Sequence, residues 1–163
     1  MRGLPGSLSN RFRRLISPEF RSAWPNGVPP SIRLRLRPPT TLVDDEQPNL
    51  DLIEALLKPA GFSVLRADSG QQGIEIARSR LPNLILLDLM MPGVSGFEVV
   101  EQLRSREETR AIPIMILTAK TLSDDDKRSL NGHVAAIFQR NSVAGAELVD
   151  WLRDIVLKTA PAT

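Results

Sequence analysis

Cysteine is absent from this chain of 163 residues, and histidine occurs once, at His133. The first absence excludes disulfides and thiolate-bound metals, and the second leaves no set of imidazoles for a metal. No apolar run approaches the roughly 18 residues that a membrane-spanning helix needs. No internal repeat is visible. Acids are scarce at the start: residues 1–40 carry eight Arg against Glu19 alone. That is a local charge of +7 in a chain of net charge +2, so the remainder carries −5. The basic character belongs to an N-terminal arm, and the body is acidic.

What is present is ordinary for a soluble globular domain, with 42% hydrophobic and 25% charged residues. The length allows one domain and a remainder. Residues 1–39 are that remainder. Pro5, Pro18, Pro25, Pro29, Pro30, Pro38 and Pro39 interrupt any long helix, and no apolar period persists, so the arm is expected to be disordered. Within it Arg11 to Ile16 could form one helical turn. Ile32 to Arg37 alternates apolar and basic residues and could add an edge strand. An Arg-rich, acid-poor arm suits a nucleic-acid contact, an acidic membrane surface or a targeting peptide. The plainer expectation is a solvated linker.

From Thr40 the texture changes. Thr40–Val43, Phe62–Leu65, Asn83–Leu87, Pro113–Leu117 and Val134–Phe138 read as strands. Between them run helical patterns: Leu50, Ile53, Leu56 and Leu57; Ile74, Ala77 and Leu81; Phe97, Val100 and Leu103. Ser69, Ser95 and Ser123 are placed to cap helices, the last followed by Asp124, Asp125 and Asp126, where the helix dipole favours acids. Leu148, Trp151, Leu152, Ile155 and Val156 mark a final amphipathic helix. Strands alternating with helices imply right-handed crossovers and a parallel sheet covered on both faces.

In such a sheet, chemistry gathers at the carboxyl ends of the strands. Those ends carry Asp44 and Asp45, Asp88, Thr118, and Gln139-Arg140. Asp88 closes the most apolar strand and is followed by Pro92, Gly93 and Gly96, so it is the first candidate for a reacting group. Taken singly, these residues have plainer explanations: an acidic helix start, a strand-end hydroxyl, a solvated loop charge. Together they form a site. Three neighbouring carboxylates repel unless one is protonated or a cation joins them. An all-oxygen set with room for water suits Mg²⁺. Thr118 adds a hydroxyl donor and Arg140 a fixed positive fork, which completes what phosphoryl transfer requires. His133 is expected in an exposed loop.

These residues resemble a known family. Thr41 to Glu46 (TLVDDE), Leu86 to Gly93 (LLDLMMPG) followed by Gly96-Phe97, and Ile116 to Lys120 (ILTAK) are similar to the receiver (CheY-like) domain of two-component response regulators. The resemblance covers residues 40–163 as a domain, most closely over 40–158. It implies a flavodoxin-like (βα)5 three-layer sandwich with parallel strand order 2-1-3-4-5. It implies that Asp88 accepts a phosphoryl group from a sensor histidine kinase or phosphotransfer protein. Mg²⁺ would then be held by Asp45, Asp88 and the backbone carbonyl of Met90, with Asp44 acting through water. Thr118 and Arg140 would bind the phosphoryl group, Thr118 moving toward it as the switch. The domain would act in the cytoplasm as a phosphoprotein that alters its surface for a downstream protein, catalysing only its own phosphorylation and dephosphorylation.

Two positions depart from the family pattern. The usual Lys-Pro is Arg140-Asn141, and the aromatic switch position falls on the aliphatic Ile137. They leave open a phosphorylation-independent protein-interaction module. Leu130 to Gln139 is similar to C-terminal receivers of hybrid sensor kinases. No output domain is encoded after Thr163, so the chain is expected to be a stand-alone regulator or a fragment of a hybrid sensor kinase. An aspartate-nucleophile phosphatase would need an acid at Met90 as proton donor. A flavin site would need Ser, Thr and Gly where Asp44 and Asp45 stand.

Overall fold

The computed structural model describes residues 39–141 and 145–159, with side chains through Asp154. The arm's proposed turn and edge strand, its expected disorder, and the side chains of Ile155 and Val156 lie outside the described residues. Five strands and five helices alternate along the chain: β1 Pro39–Val43, α1 Gln47–Leu57, β2 Ser63–Ala67, α2 Gly70–Arg80, β3 Leu84–Leu87, α3 Gly96–Arg104, β4 Ile114–Thr118, α4 Asp124–Leu130, β5 Ala136–Gln139 and α5 Gly145–Thr159. Every strand pairing is parallel, and the sheet order is β2-β1-β3-β4-β5. This is the flavodoxin-like architecture expected from the alternation and the motifs.

The period of two along each strand sorts side chains between two faces. Ile85 and Leu87 of β3 join Val43, Ile114 and Ile116 in one core under α2 and α3, with Ile74, Val99 and Leu103. Leu84 and Leu86 point the other way, joining Leu42, Met115 and Leu117 beneath α1 and α5, with Leu50, Leu57, Leu148 and Leu152. All four residues of β3 are buried, which is why this strand reads as a continuous apolar run. Leu103 is fully buried in the first core. Leu103→Ala is expected to lower stability by about 2–5 kcal/mol, through lost burial and the cavity left behind, measured as a shifted urea midpoint with unchanged slope.

The caps form as the sequence predicts. Ser69 accepts a hydrogen bond from the Gln72 amide, and Ser95 and Ser123 each build a reciprocal capping box, with Glu98 and Asp126. Some boundaries differ. Leu81 does not join the face of α2. Pro82 disfavours the helical region for the residue before it, so Leu81 turns left-handed (φ 44°) and its side chain is exposed. Strand β5 begins at Ala136, two residues late, because a turn with Gly132 at φ 80° occupies the preceding stretch. On α3, Val99 is fully buried and Phe97 only partly. Trp151 is half exposed and meets Phe138 edge-on at 5.4 Å.

Candidate functional site

The register of the sheet brings the chemistry together. Val43 pairs with Leu87, and the Asp88 amide continues the ladder by donating to the Val43 carbonyl at 2.9 Å. Asp44 and Asp88 therefore stand side by side, one step past their strands. Thr118 is the last residue of β4, and its carbonyl accepts from the Arg140 amide at 2.9 Å. One edge of the sheet thus collects Asp44, Asp45, Asp88, Thr118 and Arg140, all named from the sequence. One carboxylate oxygen from each of Asp44, Asp45 and Asp88 lies within 4.8 Å of the other two.

The three acids are not equivalent. Asp44 is buried and its oxygens are committed. One oxygen accepts from the Glu46 amide at 2.9 Å and the Asn49 side chain at 3.3 Å, and the other binds the Arg140 guanidinium at 2.6 Å. Asp45 is half-buried and has no hydrogen-bond or ion-pair partner among the described residues. Asp88 is buried, and its carboxyl is pushed above the ordinary carboxylate range, first by burial and then by the charge of Asp44. The Met90 amide, the Thr118 hydroxyl and the charge of Arg140 oppose that rise without cancelling it. Asp45 and Asp88 are the two acids of the trio that no ion pair holds among the described residues. Two such oxygen ligands with net negative charge fit a small hard cation.

Arg140 reaches the site by a route the sequence did not define. Its fork rests on Asp44 and, weakly, on the Leu117 carbonyl at 3.4 Å, while its buried Nε has no partner among the described residues. Ile137 stands on the exposed side of edge strand β5. It borders a surface groove of about 460 Å³ with Lys127, Leu130 and Val134. Two roles escaped the sequence reading. Asn49, one turn into α1, orients Asp44. Gly96 lets α3 start against the β3 end, because a Cβ there would sit 2.4 Å from the Asp88 carbonyl oxygen and 2.6 Å from the Leu89 Cα. Gly96→Ala is therefore expected to displace the loop carrying Asp88 and to cost about 1–3 kcal/mol. Thermal unfolding with and without Mg²⁺ checks both effects, a lower midpoint and a smaller shift on adding the metal.

A parallel 2-1-3-4-5 sheet with an acidic trio, a hydroxyl and a cation at its carboxyl edge defines a class of signalling domain rather than an arbitrary α/β protein. The family model for the response regulator receiver domain matches residues 41–153, and the chain belongs to that family. It carries a receiver of two-component phosphorelay signalling. Among curated relatives it is 34% identical over 99 residues to the polar-differentiation response regulator DivK of Brucella ovis, covering 61% of this chain and 80% of that protein. It is 38% identical over 84 residues to protein PilH of Pseudomonas aeruginosa, covering 52% of this chain and 69% of that one. A solved relative is the receiver domain of the sensor histidine kinase PA1611 from Pseudomonas aeruginosa, with a magnesium ion coordinated in its active-site cleft. It is 28% identical, with a TM-score of 0.66, over 73% of this chain and 97% of that one. Receivers of this family interact with histidine kinases or phosphotransfer proteins. No helix among the described residues is long and apolar enough to cross a membrane.

Proposed function

We propose that Asp88 accepts a phosphoryl group from a phosphohistidine donor, and that Asp45, Asp88 and the Met90 carbonyl hold the Mg²⁺ this requires. The observation that carries the proposal is the division of labour among the acids: Asp44 is ion-paired with Arg140, while Asp45 and Asp88 lie close together with no ion pair of their own among the described residues. Asp44 would then touch the metal only through water. When bound, Mg²⁺ supplies charge neutralisation for the transferring phosphoryl oxygens. An Asp88 oxygen forms the new O–P bond as the donor's N–P bond breaks and the imidazole leaves. The Thr118 hydroxyl, already against Asp88, donates to a phosphoryl oxygen. Arg140 acts chiefly by holding Asp44 and adding positive charge. The donor is a cytoplasmic histidine kinase or phosphotransfer protein, and the output is a changed surface for a downstream protein, with no turnover of an external substrate.

The test is incubation with Mg²⁺ and acetyl phosphate followed by intact mass measurement. One added phosphoryl group, lost when the metal is chelated, is the expected result. A second reading, a docking module independent of phosphorylation, is favoured by the engagement of Arg140 with Asp44 and by the aliphatic Ile137. It predicts no phosphoryl uptake and no response of the melting temperature to Mg²⁺.

A further inference from the structure

Thr118 is followed by a short connection, residues 119–122, that leads into α4. This connection is anchored at two points. Leu122 is buried in the core beneath α2 and α3. Lys120 makes the other anchor, and it does so with both its backbone and its side chain. Its amide donates to the Thr118 Oγ1 at 3.1 Å. Its ammonium pairs with the Asp126 carboxylate at 2.9 Å and lies 5.1 Å from the centre of the Phe97 ring. Ala119 and Thr121, on either side of Lys120, are exposed.

The partners matter because each belongs to a fixed element. Asp126 is the capping-box acid of α4, and the oxygen that meets Lys120 also accepts the Ser123 amide at 3.0 Å. Phe97 is in the first turn of α3, directly after Gly96, whose packing sets the Asp88 loop. Lys120 therefore ties the hydroxyl of Thr118 to the starts of two helices. Thr118 is fully buried, and its hydroxyl has one acceptor interaction fixed by Lys120. Accepting that bond leaves the hydroxyl's own hydrogen available to donate elsewhere.

We propose that Lys120 is a positioning residue: its ammonium, held by Asp126 and the face of Phe97, locks the 119–122 connection so that its amide fixes the Thr118 hydroxyl toward Asp88. The stabilisation of the Asp88 carboxylate by that hydroxyl agrees with this orientation. A donor held in place before the reaction avoids the cost of ordering it during the reaction. The inference rests on the assignment of Asp88 as phospho-acceptor for its kinetic consequence, though its structural part stands without it.

The test compares Lys120→Met, which keeps the length and removes the charge, with Lys120→Arg, which keeps both the ion pair and the ring contact. In unphosphorylated protein, backbone amide exchange of residues 119–123 is expected to rise in Lys120→Met and to remain near wild type in Lys120→Arg. With Mg²⁺ and acetyl phosphate, Lys120→Met is expected to be phosphorylated about two- to fivefold more slowly, the scale of one partly exposed charged contact. Lys120→Arg restores the rate. In a Thr118→Ala background, Lys120→Met should add nothing, because the lysine acts through that hydroxyl. Unchanged exchange in Lys120→Met overturns the lock. Raised exchange with an unchanged rate, or an equal loss in the Thr118→Ala background, overturns the link to Thr118. If wild type itself takes up no phosphoryl group, the function proposed for Asp88 fails while the exchange comparison still decides the lock.

Discussion

Asp88→Asn is expected to take up no phosphoryl group and, in Mg²⁺-free buffer at neutral pH, to unfold at a higher temperature than the wild type. The first result follows because an amide is no nucleophile. The second follows from the electrostatics of Asp88 beside Asp44. Asp88 titrates above the ordinary carboxylate range in the folded chain because it is buried and lies beside Asp44. Between the ordinary value and the raised one, the folded state still holds a proton that the unfolded state has released. Stability therefore falls as pH rises through that window and stays reduced above it. Asparagine has the same shape and no charge, so it escapes the loss. The gap in melting temperature between variant and wild type should open as pH climbs from the acid range and close again below it. Mg²⁺ should reverse the order. A cation bound at a hundredfold its dissociation constant stabilises wild type by about 2.7 kcal/mol, and the variant lacks a ligand for it. Thermal scans over a pH series, with and without the metal, check all three trends.

Arg140→Ala is expected to destabilise the Mg²⁺-free protein by about 1–3 kcal/mol. Breaking a fully buried ion pair costs more, but the Arg140 side chain is 21% exposed and solvent takes up part of the loss. The cost comes from Asp44, which would keep its charge in a buried position with only the Glu46 amide and the Asn49 side chain to satisfy it. A bound divalent cation adds positive charge beside Asp44, so Mg²⁺ should recover more stability in this variant than in wild type. Urea unfolding at two Mg²⁺ concentrations measures the difference. Arg140→Lys places a compact ammonium at this position, as the family pattern has it, and is expected to raise the rate of phosphorylation by acetyl phosphate.

The sheet and its site were legible for a physical reason. A strand buried on both faces has few residue types open to it, so Leu84–Leu87 stood out, and a carboxylate directly after it could not be a packing residue. The same logic exposed Asp44, Asp45 and Thr118 at neighbouring strand ends. Capping serines were legible because a cap is a local bargain between one hydroxyl and one amide. What was not legible depends on long-range geometry. Nothing in the chain between Asp44 and Arg140 announces that the guanidinium will settle on that carboxylate rather than on Asp88. Edge strand β5 has only half the burial constraint of a central one, so its start was misjudged by two residues. Leu81 looked like a core residue by spacing alone, yet the backbone limit set by Pro82 outweighed the period. Lys120 read as part of a motif, and its role became visible only when Asp126 and Phe97 came into contact with it.

The most direct test of the central claim is to phosphorylate the wild-type protein with acetyl phosphate and Mg²⁺ and locate the modification by peptide mass spectrometry. The predicted result is a single phosphoryl group on Asp88, absent when Mg²⁺ is chelated. A phosphoryl group on any other residue, or none at all in protein that is folded and supplied with the metal, would contradict it.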